Sequence, residues 1–141
     1  MPHPRPARSP LCWALFAVFA ALATAAGSGA RAESSFPFNH ELLLDTQPIK
    51  GSKRVPSLDI GADGAAEFDL WCNTVRSQLV VAGDTITILT GPRTERPCPP
   101  ERVRDDEEML TALTEVTNWR REGDVLVLTG ARTLRFRLQT N

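Results

Sequence analysis

The stretch that decides the fold covers residues 65–89 and reads AAEFDLWCNTVRSQLVVAGDTITIL. In its first part Ala66, Phe68 and Leu70 alternate with acidic residues, and this period of two is typical of a strand with one buried face. Its second half consists of two apolar runs, rich in branched residues, on either side of a short Ala-Gly-Asp turn. Such an arrangement favours an antiparallel hairpin.

The same alternation continues outward on both sides of this stretch. Shorter strands are predicted at Glu41–Asp45, Ser57–Ile60, Asn118–Arg121, Val125–Leu128 and Arg132–Leu138. Neighbouring strands joined by tight turns favour an antiparallel sheet over β-α-β crossovers. We therefore expect an α+β fold, a curved antiparallel sheet of about seven to eight strands with one covering helix.

The pattern predicts one helix, at about residues 101–117. Leu110 and Leu113 belong to an apolar stripe at helical spacing, which should pack against the sheet. Asp105 and Glu108 have the spacing of a capping box, while the two prolines before residue 101 allow an earlier start.

The N-terminal segment, residues 1–32, has the composition of a signal peptide. A basic start with Arg5 and Arg8 precedes an apolar run from Leu11 to Ala26, and Ala30-Arg31-Ala32 supplies the small residues of a cleavage site. A membrane span usually needs about 20 apolar residues, more than this run contains, so an uncleaved anchor is the less favoured alternative. We expect cleavage after Ala32 and a periplasmic or secreted protein without a stable membrane anchor.

After cleavage, residues 33–40 are predicted to be an irregular lead-in and residues 41–141 a single domain. The mature chain, residues 33–141, would have the usual size of one domain. It would carry 13 basic and 17 acidic residues, a net charge of −4. Nucleic-acid-binding domains normally show a clear excess of Lys and Arg, so nucleic acid is not an expected partner.

Two cysteines remain in the predicted mature chain, Cys72 and Cys98. An even number of cysteines in an exported domain favours a disulfide bond, and two buried free thiols are the alternative. Closing a loop of this length should stabilise the fold by about 3–4 kcal/mol.

Three motifs occur in order along the mature chain. They are Trp71-Cys72-Asn73 at the end of a strand, Thr94-Glu95-Arg96-Pro97-Cys98 ahead of an acidic helix that ends in Leu110-Thr111-Ala112-Leu113, and the closing strands 123–128 and 133–136. In combination they resemble the META domain, the family of HslJ-like bacterial heat-shock proteins, over about residues 41–138. The resemblance implies a small α+β domain of the bacterial envelope, tied to stress tolerance in some members and without an established catalytic activity.

The mature sequence lacks the residues of common catalytic and metal sites. His40 is its only histidine and lies in the lead-in, so neither a zinc site nor a Ser-His-Asp or Cys-His arrangement is expected. No glycine-rich phosphate loop occurs. Glu67 and Asp69 point the same way from one strand, where a solvated strand face is favoured over an acid–base pair. We therefore expect no cofactor, no bound metal and no enzyme activity.

The arginines of the closing strand are the candidate binding residues. Arg135 and Arg137 alternate with Leu134 and Phe136, so they should share the solvated face. Arginine suits bidentate binding of carboxylate or phosphate, so Arg135 and Arg137 are candidate anion-binding residues. The favoured interpretation is a charged face that keeps the strand from aggregating and pairs with Glu and Asp.

Three more residues have two interpretations each. Asn73, directly after Cys72, is interpreted as a turn residue that bonds the backbone locally, with a ligand contact as the alternative. Trp71 and Trp119 are interpreted as core or half-buried anchors, with pocket lining as the alternative.

These observations favour a non-catalytic exported envelope domain, a stress-related binding or structural protein. Its expected partner is an unidentified envelope component, which is a protein, a glycan or a lipid headgroup. The alternative is an inhibitor-like module in which the disulfide-tied loop at residues 90–100 blocks an exported hydrolase. A proline-rich loop held by Cys98 has the low conformational entropy that such a role needs.

Overall fold

The strands of the domain form a barrel in a computed structural model that describes residues 35–139. Within that range, eight antiparallel strands follow one another around the barrel in chain order. The strands are β1 (His40–Leu44), β2 (Ser57–Ile60), β3 (Ala65–Asp69), β4 (Thr74–Ala82), β5 (Thr85–Arg93), β6 (Asn118–Glu122), β7 (Val125–Thr129) and β8 (Thr133–Leu138), and one helix, α1 (Pro100–Thr114), lies between β5 and β6. The predicted signal peptide, residues 1–32, lies outside the described residues.

The barrel is closed by pairing of the first strand with the last. Leu42 on β1 is opposite Leu138 on β8, and Leu44 is opposite Phe136. The prediction of an α+β fold, a curved antiparallel sheet with one covering helix, is therefore wrong, because the domain is a closed and mostly β barrel. Strand periodicity shows which residues face inward but not which distant edges meet, and closure removes both exposed edges of the sheet.

The core consists of the inward side chains of the strands. Several are fully buried, including Phe68 and Phe136, whose ring centroids lie 6.4 Å apart. Burying each side chain of this size contributes about 1.5–3 kcal/mol. The inward positions agree with the alternation in the sequence, since Ala66, Phe68 and Leu70 are all buried.

The helix completes the core beside the shortest strand pairing of the barrel, which lies between β5 and β6. β5 and β6 pair only through Thr85 and Asn118, and α1 packs against β5. Leu113 on α1 has no exposed surface and belongs to the same apolar cluster as the strand residues. The helix is therefore part of the barrel core rather than a cover on one face of a sheet.

The helix begins at Pro100 with Pro99 at its N-cap and no side-chain capping bond. The predicted capping box of Asp105 and Glu108 is not formed, because proline at the first helical position starts the helix well before Asp105. Near its other end, Gly130 approaches the helix so closely that a Cβ there would overlap the carbonyl oxygen of Glu115.

Candidate functional site

A buried carboxylate fixes the end of the barrel where the disulfide lies. Asp106 on α1 has no exposed surface. Its two oxygens accept hydrogen bonds from the backbone N–H of Cys72 at 3.1 Å, from the backbone N–H of Asn73 at 2.8 Å and from the Asn73 side-chain amide at 3.2 Å. These bonds, which we call the Asp106 clamp, hold the helix to the connection between β3 and β4.

Asn73 also holds the segment that follows β5. Its side-chain oxygen accepts a hydrogen bond from the Thr94 hydroxyl at 3.1 Å and another from the backbone N–H of Arg96 at 2.9 Å. Asn73 itself is 3% exposed. Its role is therefore wider than the local turn bonding predicted for it, because it joins α1, β4 and the loop before α1.

The disulfide closes the same end of the barrel. Cys72 and Cys98 are bonded, with Cα atoms 6.3 Å apart, as the count of cysteines predicted. That separation lies within the usual range for disulfides. The loop before α1 is thus held covalently at Cys98 and by hydrogen bonds at Thr94 and Arg96.

A cleft of about 430 Å³ opens beside this loop. Its lining residues are Glu67, Thr74, Arg76, Pro92, Arg93, Thr94 and Arg96. We call it the arginine cleft, because three of its side chains carry guanidinium groups. Strand periodicity does not place Arg76 beside Arg93 and Arg96, since Arg76 lies on β4 and the other two lie at the end of β5 and in the loop that follows.

A β-bulge brings Arg76 and Arg93 to this cleft. From Ser77 to Val75 the β4 strand advances two residues while β5 advances three, from Thr90 to Arg93. The extra residue bends the strand and redirects the side chains that follow it. Gly91 lies in the bulge, and a Cβ there would lie 2.8 Å from the carbonyl oxygen of Arg76, so the close approach of the strands requires glycine.

The predicted anion-binding residues Arg135 and Arg137 lie in a balanced network of ion pairs. Arg135 contacts Glu122 at 3.0 Å, and Arg137 contacts Asp45 at 3.3 Å and Asp124 at 3.4 Å. Hydrogen bonds from Arg120 and then Arg135 lower the pKa of Glu122, and the hydrogen bond to Asp45 raises the pKa of Arg137. The members of this β6–β8 network are Arg120, Arg135, Arg137, Asp45, Glu122 and Asp124, so its charges sum to zero.

The β6–β8 network also covers two outward-facing valines. Val127 is opposite Arg120 and Arg135 on the neighbouring strands, and it has no exposed surface. Val125, opposite Glu122 and Arg137, is 5% exposed. The aliphatic stems of arginines can cover apolar surface while the charged ends reach water. This arrangement supports the charged-face interpretation of the closing strand.

Glu67 and Asp69 each contact a different arginine. Glu67 contacts Arg76 at 3.6 Å, whereas Asp69 contacts Arg54 at 3.1 Å and accepts a hydrogen bond from the Thr74 hydroxyl. Among residues 35–139, no three His, Cys, Asp or Glu side chains lie close enough to hold a metal ion. The one helix of that range is neither long nor apolar enough to cross a membrane.

Trp71 and Trp119 are both half-buried and line separate depressions. Trp119 packs edge-on against Phe36, with ring centroids 5.0 Å apart, and donates its indole N–H to the carbonyl oxygen of Gly83 at 2.8 Å. Together with Arg121 they line a cleft of about 440 Å³. Trp71 lines a smaller cleft beside α1. Both interpretations of these residues therefore apply, since each tryptophan is an anchor and a lining residue.

Two solved structures share this fold. One, an NMR structure, is 21% identical in sequence and has a TM-score of 0.57, covering 71% of this chain and 89% of the other protein. A second, the NMR structure of a protein from Burkholderia xenovorans, is 17% identical and has a TM-score of 0.59, with coverage of 74% and 84%. Similarity at this level extends to the fold alone. No curated protein sequence matches the chain significantly.

Comparison of the sequence with a family profile shows a relationship that goes beyond a shared fold. The profile of the META domain matches residues 38–141, a range that contains all eight strands, α1, the Asp106 clamp and the arginine cleft. The chain belongs to the META domain family.

Proposed function

We propose that the mature chain is a non-catalytic exported domain of the bacterial envelope, a stress-related binding or structural protein. The observation that carries this proposal is the exposed loop at residues 94–97, which is fixed by a buried network. Family membership and a disulfide that fits an oxidising compartment support it.

A fixed, exposed loop favours binding because little conformational freedom is lost when a partner docks. Thr94 and Arg96 are bonded to Asn73, and Cys98 is bonded to Cys72. The loop keeps this geometry without a partner, since these hydrogen bonds and the disulfide all lie within the domain. Its surface is continuous with the arginine cleft, which Thr94 and Arg96 also line.

The second candidate function is an inhibitor-like module acting on an exported hydrolase. The same loop favours it, because residues 90–100, which run from the end of β5 to the start of α1, contain several prolines and are held at Cys98 by the disulfide. An inhibitor of this kind gains affinity from a loop that is already in its bound conformation.

Capture from an envelope extract tests the proposal and separates the two candidates. The exported protein serves as bait, beside a Glu95→Ala variant in the loop and a Glu41→Ala variant that removes an exposed carboxylate from β1. A partner retained by the wild type and by Glu41→Ala, but lost by Glu95→Ala, supports recognition through the loop. A hydrolase that the purified domain then inhibits favours the second candidate. A protein found only in the cytoplasm, or one whose partners do not depend on the loop, contradicts the proposal.

A further inference from the structure

We infer that the arginine cleft binds a phosphate group carried by an envelope component. The inference deepens the proposed function by naming the chemistry of the ligand, and it rests on that function for the source of the ligand. The observations behind it are the cleft that Arg76, Arg93 and Arg96 line together, their surplus of positive charge and the internal support of Arg96.

The arginine cleft holds a surplus of positive charge. Arg76 contacts Glu67 at 3.6 Å and Arg93 contacts Glu107 at 3.4 Å. Arg96 forms no ion pair with any residue between 35 and 139. Three guanidinium groups are therefore matched by two carboxylates, whereas the β6–β8 network is balanced. In a domain with an excess of acidic residues, this local surplus is a site where an anion is attracted rather than repelled.

The carboxylates already present hold their arginines weakly. Both contacts are longer than a strong charge-assisted hydrogen bond, which measures about 2.7–2.9 Å. The side chains of Arg76 and Glu67 are 87% and 52% exposed, so water screens their attraction. A more highly charged anion can therefore displace Glu67 and Glu107 from the guanidinium N–H groups.

Phosphate suits this set of donors better than a carboxylate does. A phosphomonoester carries a charge of about −1.5 to −2 near neutral pH and three strong acceptor oxygens. Three guanidinium groups, each a planar fork of N–H donors, can share those oxygens. The hydroxyls of Thr74 and Thr94 are already donated to Asp69 and Asn73, so recognition falls to the arginines.

Part of the arginine cleft is held in place before any ligand arrives. Arg96 donates its backbone N–H to Asn73 at 2.9 Å and a guanidinium N–H to the Thr74 hydroxyl at 3.4 Å. Asn73 is in turn held by Asp106. Positions fixed in advance lower the entropy lost on binding. The Asp106 clamp therefore supports the site without touching the ligand.

An NMR titration of the exported protein with inorganic phosphate tests the inference. We expect saturable shifts of the backbone amides at residues 74–76 and 92–96. The double variant Arg76→Ser/Arg96→Ser should bind phosphate about tenfold or more weakly, because charge-assisted hydrogen bonds are lost. The single variant Arg76→Ser, at a highly exposed position, should weaken binding in the same direction without affecting the fold.

The matched control is Arg135→Ser/Arg137→Ser, which removes the same charge from the β6–β8 network. It should change phosphate affinity by less than about twofold, since neither residue lines the arginine cleft and the attraction of exposed charges is screened by salt. Absence of saturable shifts overturns the inference. An equal loss of affinity in both double variants also overturns it, because the arginine cleft would then have no special part.

Two further arms identify the source of the phosphate. Vesicles of phosphatidylcholine with or without phosphatidic acid are sedimented with the protein. Sedimentation that requires phosphatidic acid and Arg76 and Arg96 supports a lipid headgroup, while a response to inorganic phosphate alone supports a soluble or glycan-borne phosphate.

Phosphate binding at the arginine cleft without any loop-dependent envelope partner upholds this inference and contradicts the proposed function. A loop-dependent partner without phosphate binding contradicts this inference and supports the proposed function.

Discussion

The Asp106 carboxylate accepts two hydrogen bonds from Asn73, one from its backbone N–H and one from its side-chain amide. The two residues are 33 positions apart in the chain, and both are buried. A buried carboxylate is stable in such a place only when hydrogen-bond donors surround it. The pair therefore joins α1 to the β3–β4 connection, and through Asn73 it positions the loop that borders the arginine cleft.

Replacing Asp106 should destabilise the domain more than replacing its neighbour. In Asp106→Asn the new amide N–H₂ opposes N–H donors that lose an acceptor, so we expect a loss of about 2–4 kcal/mol in the free energy of unfolding. The matched control Asp105→Asn should stay within about 0.5 kcal/mol. Urea unfolding of the three proteins measures the difference. Equal stabilities would contradict the structural role of the Asp106 clamp.

The bonded cysteines should resist alkylation. When the purified protein is denatured without reductant, Cys72 and Cys98 should take no label, because they are joined. After reduction both should react, and the reduced protein should be less stable by about 3–4 kcal/mol. Mass spectrometry of peptides counts the labels. Two labels on these residues before reduction would show that the disulfide is absent from the purified protein.

The helix should contribute to the core through Leu113. The substitution Leu113→Ala should lower the free energy of unfolding by about 2–5 kcal/mol, because it leaves a cavity at a side chain without exposed surface. Thr114→Ala, one residue away on the exposed side, is the control and should have a small effect. Thermal unfolding followed by circular dichroism compares them. An unchanged Tm for Leu113→Ala would mean that α1 does not pack in the barrel.

Stability should fall in acid in a way that depends on Glu122. Its pKa in the folded domain is lowered from 4.5 by hydrogen bonds from Arg120 and Arg135. A carboxyl group with a lowered pKa stabilises the folded state above its unfolded pKa, and this stabilisation is lost as the pH falls through the folded pKa. The stability difference between wild type and Glu122→Gln should therefore shrink below pH 4.5. A difference that stays constant with pH in denaturant titrations would contradict the role of these ion pairs.

The mature protein should begin at Glu33. Ala30-Arg31-Ala32 has the pattern of a cleavage site, so the intact mass of the exported form should correspond to residues 33–141. An Ala32→Asp variant, which lacks a small residue at the −1 position, should accumulate uncleaved. An exported form whose mass still includes the segment from Met1 to Ala32 would contradict the prediction.

Part of the site could have been expected from sequence. Asp106 precedes Leu110 by four residues and Leu113 by seven, which places a carboxylate on the apolar stripe of α1. That position indicates a buried carboxylate that needs hydrogen-bond donors. Its donors, Cys72 and Asn73, lie in the distant connection between β3 and β4, and no local sequence pattern identifies them as its partners. The arginine cleft is similar, because its arginines come from β4 and from the β5 end and following loop.

The sequence by itself determined the strand and helix order, the inward residues and the pairing expected of Cys72 and Cys98. These follow from periodicity, turn residues and composition, which are local properties of the chain. Tertiary structure alone decided that β1 meets β8, that Asp106 reaches Asn73, and which arginines are balanced by carboxylates. Each of those depends on contacts between residues far apart in the chain, and one face of a strand carries no record of which distant strand will lie beside it.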